Sequence, residues 1–155
     1  MCCNQKPKSN YNTTFIANKT NTLNQTKYLS YDENQNVIRI TDAKGNYSTY
    51  NYDSTNKQIS QTNNNGDIKT LTYDKRGNIL ATQDENKNLI TYSYDKNNNK
   101  LSQSIHTNNE ILTTNFIYDK INRLTSIKDP KENITSYTYN IYNEKIKTID
   151  SINNE

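Results

Sequence analysis

The chain has 155 residues, with 19 basic and 16 acidic side chains and a net charge of +3. That length suits one ordinary domain, and the evenly spread, nearly balanced charge gives no electrostatic footprint for nucleic acid. Ile, Leu, Val and Phe supply 28 residues against 29 Asn, below the level of a conventional aliphatic core. Thirteen Tyr offset that shortage, because a Tyr ring can be buried while its hydroxyl stays hydrogen-bonded. With so modest a net charge, composition favours folded β structure over disorder.

Residues 1–27 read as a poorly defined N-terminal segment. Its opening, MCCNQKPKSNYNTTF, contains no apolar h-region, so neither a secretory nor a lipoprotein signal is readable. No stretch approaches the roughly 18 apolar residues of a membrane helix, and membrane insertion is not expected. Cys2 and Cys3 are adjacent and no third Cys exists. No intramolecular disulfide framework or zinc site follows from them. Tyr11-Asn12 lies 20 residues before Tyr31 and reads as a decayed copy of the pattern downstream.

That pattern occupies residues 28–155. Tyr-Asp pairs stand at Tyr31-Asp32, Tyr52-Asp53, Tyr73-Asp74, Tyr94-Asp95 and Tyr118-Asp119, followed by the variant Tyr139-Asn140. Their spacings are 21, 21, 21, 24 and 21 residues, a period that marks a repeat architecture. Two residues before each anchor Tyr stands Leu29, Tyr50, Leu71, Tyr92, Phe116 or Tyr137. A spacing of two puts both side chains on one face of a strand. Four residues after the anchor come Gln35, Asn56, Gly77, Asn98, Asn122 and Asn143. Asn and Gly tolerate a left-handed backbone, so this column predicts a tight turn. Seven residues further on, Asp42, Asn63, Asp84, Asp129 and Asp150 open a second polar patch, a column that Ile105 breaks.

The unit therefore reads strand, turn, strand, turn. VIRIT (37–41), NILAT (78–82) and RLTSI (123–127) supply one strand. YSTYNYD, IKTLTYD, LITYSYD and ITSYTYN supply the other, Tyr and β-branched residues favouring extended backbone. The fold class is all-β: antiparallel hairpins of about 21 residues forming a twisted open sheet or ribbon. The three additional residues before Tyr118 are expected to enlarge the turn around HTNNE, since a loop absorbs an insertion more readily than a paired strand.

These columns resemble the YD repeat of RHS proteins, toxin-complex subunits and teneurins. The pattern is Tyr-Asp-x-x-Gly-Arg-Leu, Asp-x-x-Gly-Asn, then Tyr-x-Tyr-Asp, matched in phase over five or more copies. YDKINRLTSIKDPKENITSYTY (118–139) is the best copy, with Asn122 and Glu132 where the family favours Gly. YDENQNVIRITDAKGNYSTYNYD (31–53) keeps Gly45 but has Gln35 at its first turn. The resemblance implies a strand ribbon that spirals, in full-length members, into a hollow shell around a toxic C-terminal domain, or forms part of a surface module. A bacterial, secreted or cell-surface protein is implied, with further YD repeats or an RHS shell as partners. One shell needs many more repeats than are present here. Self-cleavage, known near a DPxG-type motif in bacterial members, is not carried over to Asp129. DPKEN has Glu132 in place of the Gly and lies in phase with the ordinary second turn.

The anchors Tyr31, Asp32, Tyr52, Asp53, Tyr73, Asp74, Tyr94, Asp95, Tyr118, Asp119 and Tyr139 are read as structural, not catalytic. No catalytic, cofactor or metal residue is assigned, and no enzyme activity is expected. His106, the sole histidine, is read as an exposed loop residue in SIHTNNE. The acidic turns lack the alternating ligands and terminal Glu of a calcium loop. Tyr47 and Tyr142 fall outside the anchor columns and are the candidates for exposed, ligand-facing rings. The expected function is a non-catalytic structural segment of an RHS-like shell or surface protein, able to self-associate through open sheet edges. The alternatives are a carbohydrate- or protein-binding module using Tyr and Asn, or a decayed fragment of a longer RHS gene.

Overall fold

The computed structural model describes residues 15–20 and 26–151. Every regular element among them is a β-strand. The chain divides into two units, one reaching to Ile68 and the other starting at Lys69.

In the first unit the strands are β1 (Phe15–Thr20), β2 (Thr26–Tyr31), β3 (Val37–Thr41), β4 (Tyr47–Tyr52) and β5 (Gln58–Thr62). Each pairs antiparallel with its successor. The second unit takes in β6 (Ile68–Tyr73), β7 (Ile79–Gln83), β8 (Leu89–Tyr94), β9 (Lys100–His106), β10 (Ile111–Tyr118), β11 (Leu124–Lys128), β12 (Ile134–Tyr139) and β13 (Lys145–Asp150). Chain order is again pairing order, antiparallel throughout. Both units thus have the all-β hairpin architecture that the period predicts. β1 falls inside the N-terminal segment and pairs from Phe15↔Tyr31 to Thr20↔Thr26. Cys2, Cys3 and Tyr11-Asn12 lie outside the described residues.

The left-handed column takes the backbone expected of it. Gln35, Asn56, Asn98, Asn122 and Asn143 have φ of 68, 62, 66, 64 and 66°, and Gly77 has 94°. The second turns repeat the device at Gly45, Gly66, Lys87 and Glu132, with φ of 89, 88, 70 and 71°. Each is a type I turn closed by a residue in the left-handed region, the usual short hairpin after the two-residue loops. At the first turn, a register shift sits immediately before the anchor Tyr, as between Thr72 and Tyr73 or Ser93 and Tyr94. Such bulges bend a strand and increase its local twist.

The insertion lies elsewhere than expected. β9 has 7 residues and β10 has 8, against 5 in β7 and 6 in β8. The connection between them, Thr107 to Glu110, closes tightly: the Thr107 amide donates to the Glu110 carbonyl at 2.9 Å. The hairpin has grown at its strands and shortened at its turn. Adding residues to both strands keeps every ladder bond paired, so the sheet absorbs them without a floppy loop. His106 consequently ends β9, opposite Leu89 and Ile111, and is half-buried rather than in an exposed loop.

Among the described residues none is buried. Register and the two-residue alternation define two faces instead. One carries the anchor Tyr residues and aliphatics, as in the row Leu71, Thr82, Ile90, Ile105, Leu112. The other is mostly hydroxyl-bearing, as in the row Thr72, Thr91, Ser104 and Thr113, which Ala81 interrupts. Neighbouring hydroxyls bond to one another across strands, Ser93 to Ser102 at 2.6 Å and Ser104 to Thr113 at 2.8 Å. Thr91 Oγ1 lies 2.9 Å from His106 Nε2 on the same face.

Candidate functional site

The recurring chemical station is the Tyr-Asp pair, and its Asp half is a turn clasp. Asp74 Oδ1 accepts the amides of Arg76 and Asn78, each at 2.9 Å, while Oδ2 accepts Asn78 Nδ2 at 2.9 Å. The Asp74 amide donates to the Asn78 carbonyl at 2.9 Å, and Gly77 donates to the Asp74 carbonyl at 3.1 Å. One carboxylate therefore satisfies most of the polar groups the turn would otherwise leave to water. Asp32 with Asn36 and Asp95 with Asn99 repeat the arrangement. In the second turns Asp42 pairs with Asn46, Asp84 with Asn88 and Asp129 with Asn133. At Asn63 the polarity reverses, its amide donating to Asp67 Oδ2 at 2.9 Å. Asp53 instead accepts the Lys57 and Thr55 amides, and Asp119 takes the Arg123 amide and, at 2.7 Å, its guanidinium Nε.

These bonds go to the charged carboxylate and hold it ionised. The Asn36, Asn46, Asn78, Asn88 and Asn133 amides lower the pKa of Asp32, Asp42, Asp74, Asp84 and Asp129. The backbone amides of Lys57 and Arg123 do so at Asp53 and Asp119. At Asp95 desolvation pulls upward, and the Asn99 bonds outweigh it.

The Tyr half reaches backward. Tyr52 Oη donates to the Val37 carbonyl, and Tyr139 Oη to the Leu124 carbonyl, each at 2.8 Å. Both carbonyls stand six residues after the preceding anchor, at the bulge. Burial raises the pKa of Tyr52, Tyr94 and Tyr118, with the preceding copy's Asp32, Asp74 and Asp95 adding to it. Tyr31 and Tyr73 are half-buried at the ends of β2 and β6. Cations lie over several rings of this family of positions: Arg123 is 4.8 Å from the Tyr139 centroid, Lys145 4.9 Å from Tyr137 and Lys100 4.7 Å from Phe116.

Adjacent first turns are also laced together. Asn36 Nδ2 donates to Asn56 Oδ1 at 2.9 Å, and Asn78 Nδ2 to Asn98 Oδ1 at 2.8 Å. Asn122 Oδ1 accepts both Asn97 and Asn99, and Arg123 reaches Asn143 Oδ1 at 3.0 Å. The donor in most of these links is the residue five after the anchor Tyr, a column the sequence reading passed over. An Asp-x-x-x-Asn spacing, present in both kinds of turn, was its visible signal. A second overlooked column lies seven after the anchor: Ile59, Leu80 and Leu101 are 38, 39 and 40 % exposed.

Of the two candidate exposed rings, Tyr142 is open, at 77 %. Tyr47 differs: it is half-buried, with the Arg39 guanidinium 4.0 Å from its centroid. Arg39 is its neighbour on the adjacent strand, which alternation alone does not reveal. Tyr47 borders a concavity of about 500 Å³ in the first unit, together with Lys27, Asp42, Tyr50 and Asn63. Among the described residues no group of three or more His, Cys, Asp or Glu is placed to hold a metal ion.

Comparison with known proteins agrees with this geometry. Residues 31–68 match the RHS repeat model. No curated protein matches the chain. Among solved structures, the crystal structure of TcdB2-TccC3-Cdc42 superposes with a TM-score of 0.71 at 18 % identity, over 80 % of this chain and 7 % of that one. TcdB2-TccC3 itself gives 0.69 at 19 % identity, with the same coverage. The Tc holotoxin pore of Photorhabdus luminescens gives 0.59 at 15 %, over 83 % of this chain and 9 % of that one. The chain thus spans less than a tenth of the proteins it resembles. It carries the RHS repeat, and the fold in which that repeat sits is one it shares with these Tc toxin structures.

Proposed function

We propose that the chain is a non-catalytic structural segment of an RHS-type shell or surface protein, made to be flanked by further repeats. The observation that carries this reading is the combination of fully clasped hairpins with no buried residue among those described. Local hydrogen bonds fix the geometry of each copy, while apolar stabilisation is left to neighbouring elements. In arrays of this kind stability sums weak units and their interfaces. The carboxylates support the same reading. The eight turn Asp residues with lowered pKa are ionised and committed to turn amides, which leaves them poor proton donors near neutral pH. In β13, Lys145 through Ile149 are all exposed, a strand suited to pairing with another.

The test is size-exclusion chromatography with light scattering, alongside circular dichroism, on the chain expressed alone. A β spectrum with concentration-dependent association and a shallow melt is expected. A monomer with a sharp, cooperative melt at high temperature would refute the scaffold reading.

A further inference from the structure

Strands that pair in chain order place alternate turns at opposite ends of a sheet, so the four first turns of the second unit share one border. They are residues 74–78, 95–99, 119–123 and 140–144. The bonds from Asn78 to Asn98, from Asn97 and Asn99 to Asn122, and from Arg123 to Asn143 join them into one row. Two strands separate neighbouring tips, so the row is about 30 Å long. The second and third residues of each turn form its tip: Lys75-Arg76, Lys96-Asn97, Lys120-Ile121 and Ile141-Tyr142. All eight are exposed, Ile121 to 60 % and Ile141 to 87 %. The first unit's equivalent tips, Glu33-Asn34 and Ser54-Thr55, carry neither a cation nor a large apolar group. The hairpin itself therefore does not require these residues.

Cations and apolar groups meet on this border. Among the described residues no hydrogen bond or ion pair engages the Lys75, Lys96 or Lys120 ammonium, and Arg76 lies 3.6 Å from Asp74. The acids of the same turns are Asp74, Asp95, Asp119 and Glu144. The three Asp are drawn into their turns as acceptors of the turn amides, and Glu144 accepts Asn140 Nδ2. On the opposite border, residues 84–88, 107–110 and 129–133, the balance reverses: Asp84, Glu85, Glu110, Asp129 and Glu132 stand against Lys87 and Lys131. The unit is polarised from one end of its strands to the other. The last first turn also holds most of its own amides. Tyr142 and Glu144 donate to Asn140 Oδ1, Asn143 donates to the Asn140 carbonyl, and Asn140 donates to the Glu144 carbonyl. A tip closed in this way strands few peptide groups on leaving bulk water, which is the main cost of bringing irregular backbone to lipid.

We propose that this border is a peripheral membrane-binding edge. Ile121, Ile141 and Tyr142 set into the headgroup layer of an anionic bilayer, and Lys75, Arg76, Lys96 and Lys120 lie on its phosphates. Tyr is at home at headgroup level, with its ring in the apolar zone and its hydroxyl wet. Cations alone would suit any polyanion, but the protruding Ile and Tyr gain only where apolar surface is available. A protein partner fits less well, since interface anchors sit at the centre of a packed patch and these crown one end of a row. The acidic border faces away from the lipid, which fixes the orientation. Each Lys or Arg near an anionic surface strengthens binding about fivefold. No strand crosses the bilayer in this arrangement, and the inference does not depend on the scaffold role.

The probes are vesicles of phosphatidylcholine alone and of equimolar phosphatidylcholine and phosphatidylglycerol. They are floated with the full chain on a density gradient, so that self-associated protein stays below. The chain is expected to rise with the anionic vesicles and not with the neutral ones. Lys75→Gln, Lys96→Gln and Lys120→Gln together should weaken binding about 100-fold. Ile141→Ser with Tyr142→Ser should weaken it about tenfold or more. These side chains are all exposed, and circular dichroism checks that each variant keeps its β spectrum. The chain contains no Trp, so Tyr142→Trp supplies a single reporter whose emission should move to the blue on the anionic vesicles. Failure to float with the anionic vesicles overturns the proposal. So does flotation that the Ile141 and Tyr142 variant leaves unchanged, or an equal loss from Lys87→Gln with Lys131→Gln on the opposite border. Capture by polyglutamate as strong as by the anionic vesicles points to an acidic protein instead, and overturns it too.

Discussion

Gly77→Val is the most direct probe of the hairpin device. Gly77 is the fourth residue of the Asp74 turn, with φ of +94° and its amide on the Asp74 carbonyl at 3.1 Å. An L-residue with a left-handed backbone costs about 1–2 kcal/mol, and a β-branched one sits at or above the top of that range. The repeat supplies its own control, because Asn98 occupies the equivalent station at φ of 66°. Gly77→Asn should therefore need only a small rotation and cost about 0.3 kcal/mol. Gly77→Val should cost about 2 kcal/mol. The local readout is hydrogen exchange at the Asp74 amide, whose partner is the Asn78 carbonyl across the turn. The difference of about 1.7 kcal/mol corresponds to roughly 20-fold faster exchange in the Val variant than in the Asn variant. Equal protection in the two variants would refute the backbone argument, and equal loss in both would show that absence of a side chain, not φ, is what the turn requires.

Three other outcomes follow from the same geometry. The turn Asp residues have folded-state pKa values below the ordinary 3.8, so the stability they contribute is present above about pH 4 and lost as pH falls through the lowered values. Circular dichroism should be steady from neutral pH to about 4 and decline below it; a transition near pH 6, or none by pH 2, contradicts this. Tyr52→Phe removes the bond to Val37 and nothing else, and should destabilise by about 1 kcal/mol in a urea titration, whereas no change would mean that water replaces the carbonyl contact freely. Asn122→Gly keeps the left-handed backbone but deletes the oxygen that accepts Asn97 and Asn99. A net loss of stability of up to about 1 kcal/mol is expected, and a gain would show that the lacing between turns contributes nothing.

Strand positions, their alternation and the left-handed stations were legible because each depends on local rules: a two-residue period, and residues that tolerate positive φ. Val37–Thr41 and Leu89–Tyr94 could be placed from sequence for that reason. The long hairpin could not, because its strands lengthen only when both sides pair, a cross-strand condition invisible to a single segment. His106 was misplaced by the same limit. Tyr47 shows it at one side chain: alternation separates it from the anchor column, yet its exposure is decided by Arg39 on the neighbouring strand. The Asn five residues after three of the anchors, at Asn36, Asn78 and Asn99, was legible in principle, as an i, i+4 partner of Asp, but only once the carboxylate is seen to use both oxygens.

The adjacency of Tyr and Asp then has a physical reason. The Tyr closes a strand with its ring on one face, and at Tyr52 and Tyr139 its hydroxyl returns to a carbonyl at the bulge of the preceding copy. The next residue, pointing off the strand end, starts the following turn and clasps it. One dipeptide thus ties a copy backward and folds it forward. The coupling is visible in charge as well: Asp74 of one copy contributes to the raised pKa of Tyr94 in the next, and Asp95 does so to Tyr118. Separating the pair by one residue would move either the ring to the opposite face or the carboxylate out of its turn. Where both bonds form, as at Tyr52-Asp53, a shift of register is penalised twice, which helps an Asn-rich chain with no buried residue among those described keep its hairpins in phase. Propagating that phase asks only that each copy meet its neighbours, the requirement of a scaffold extended by repetition.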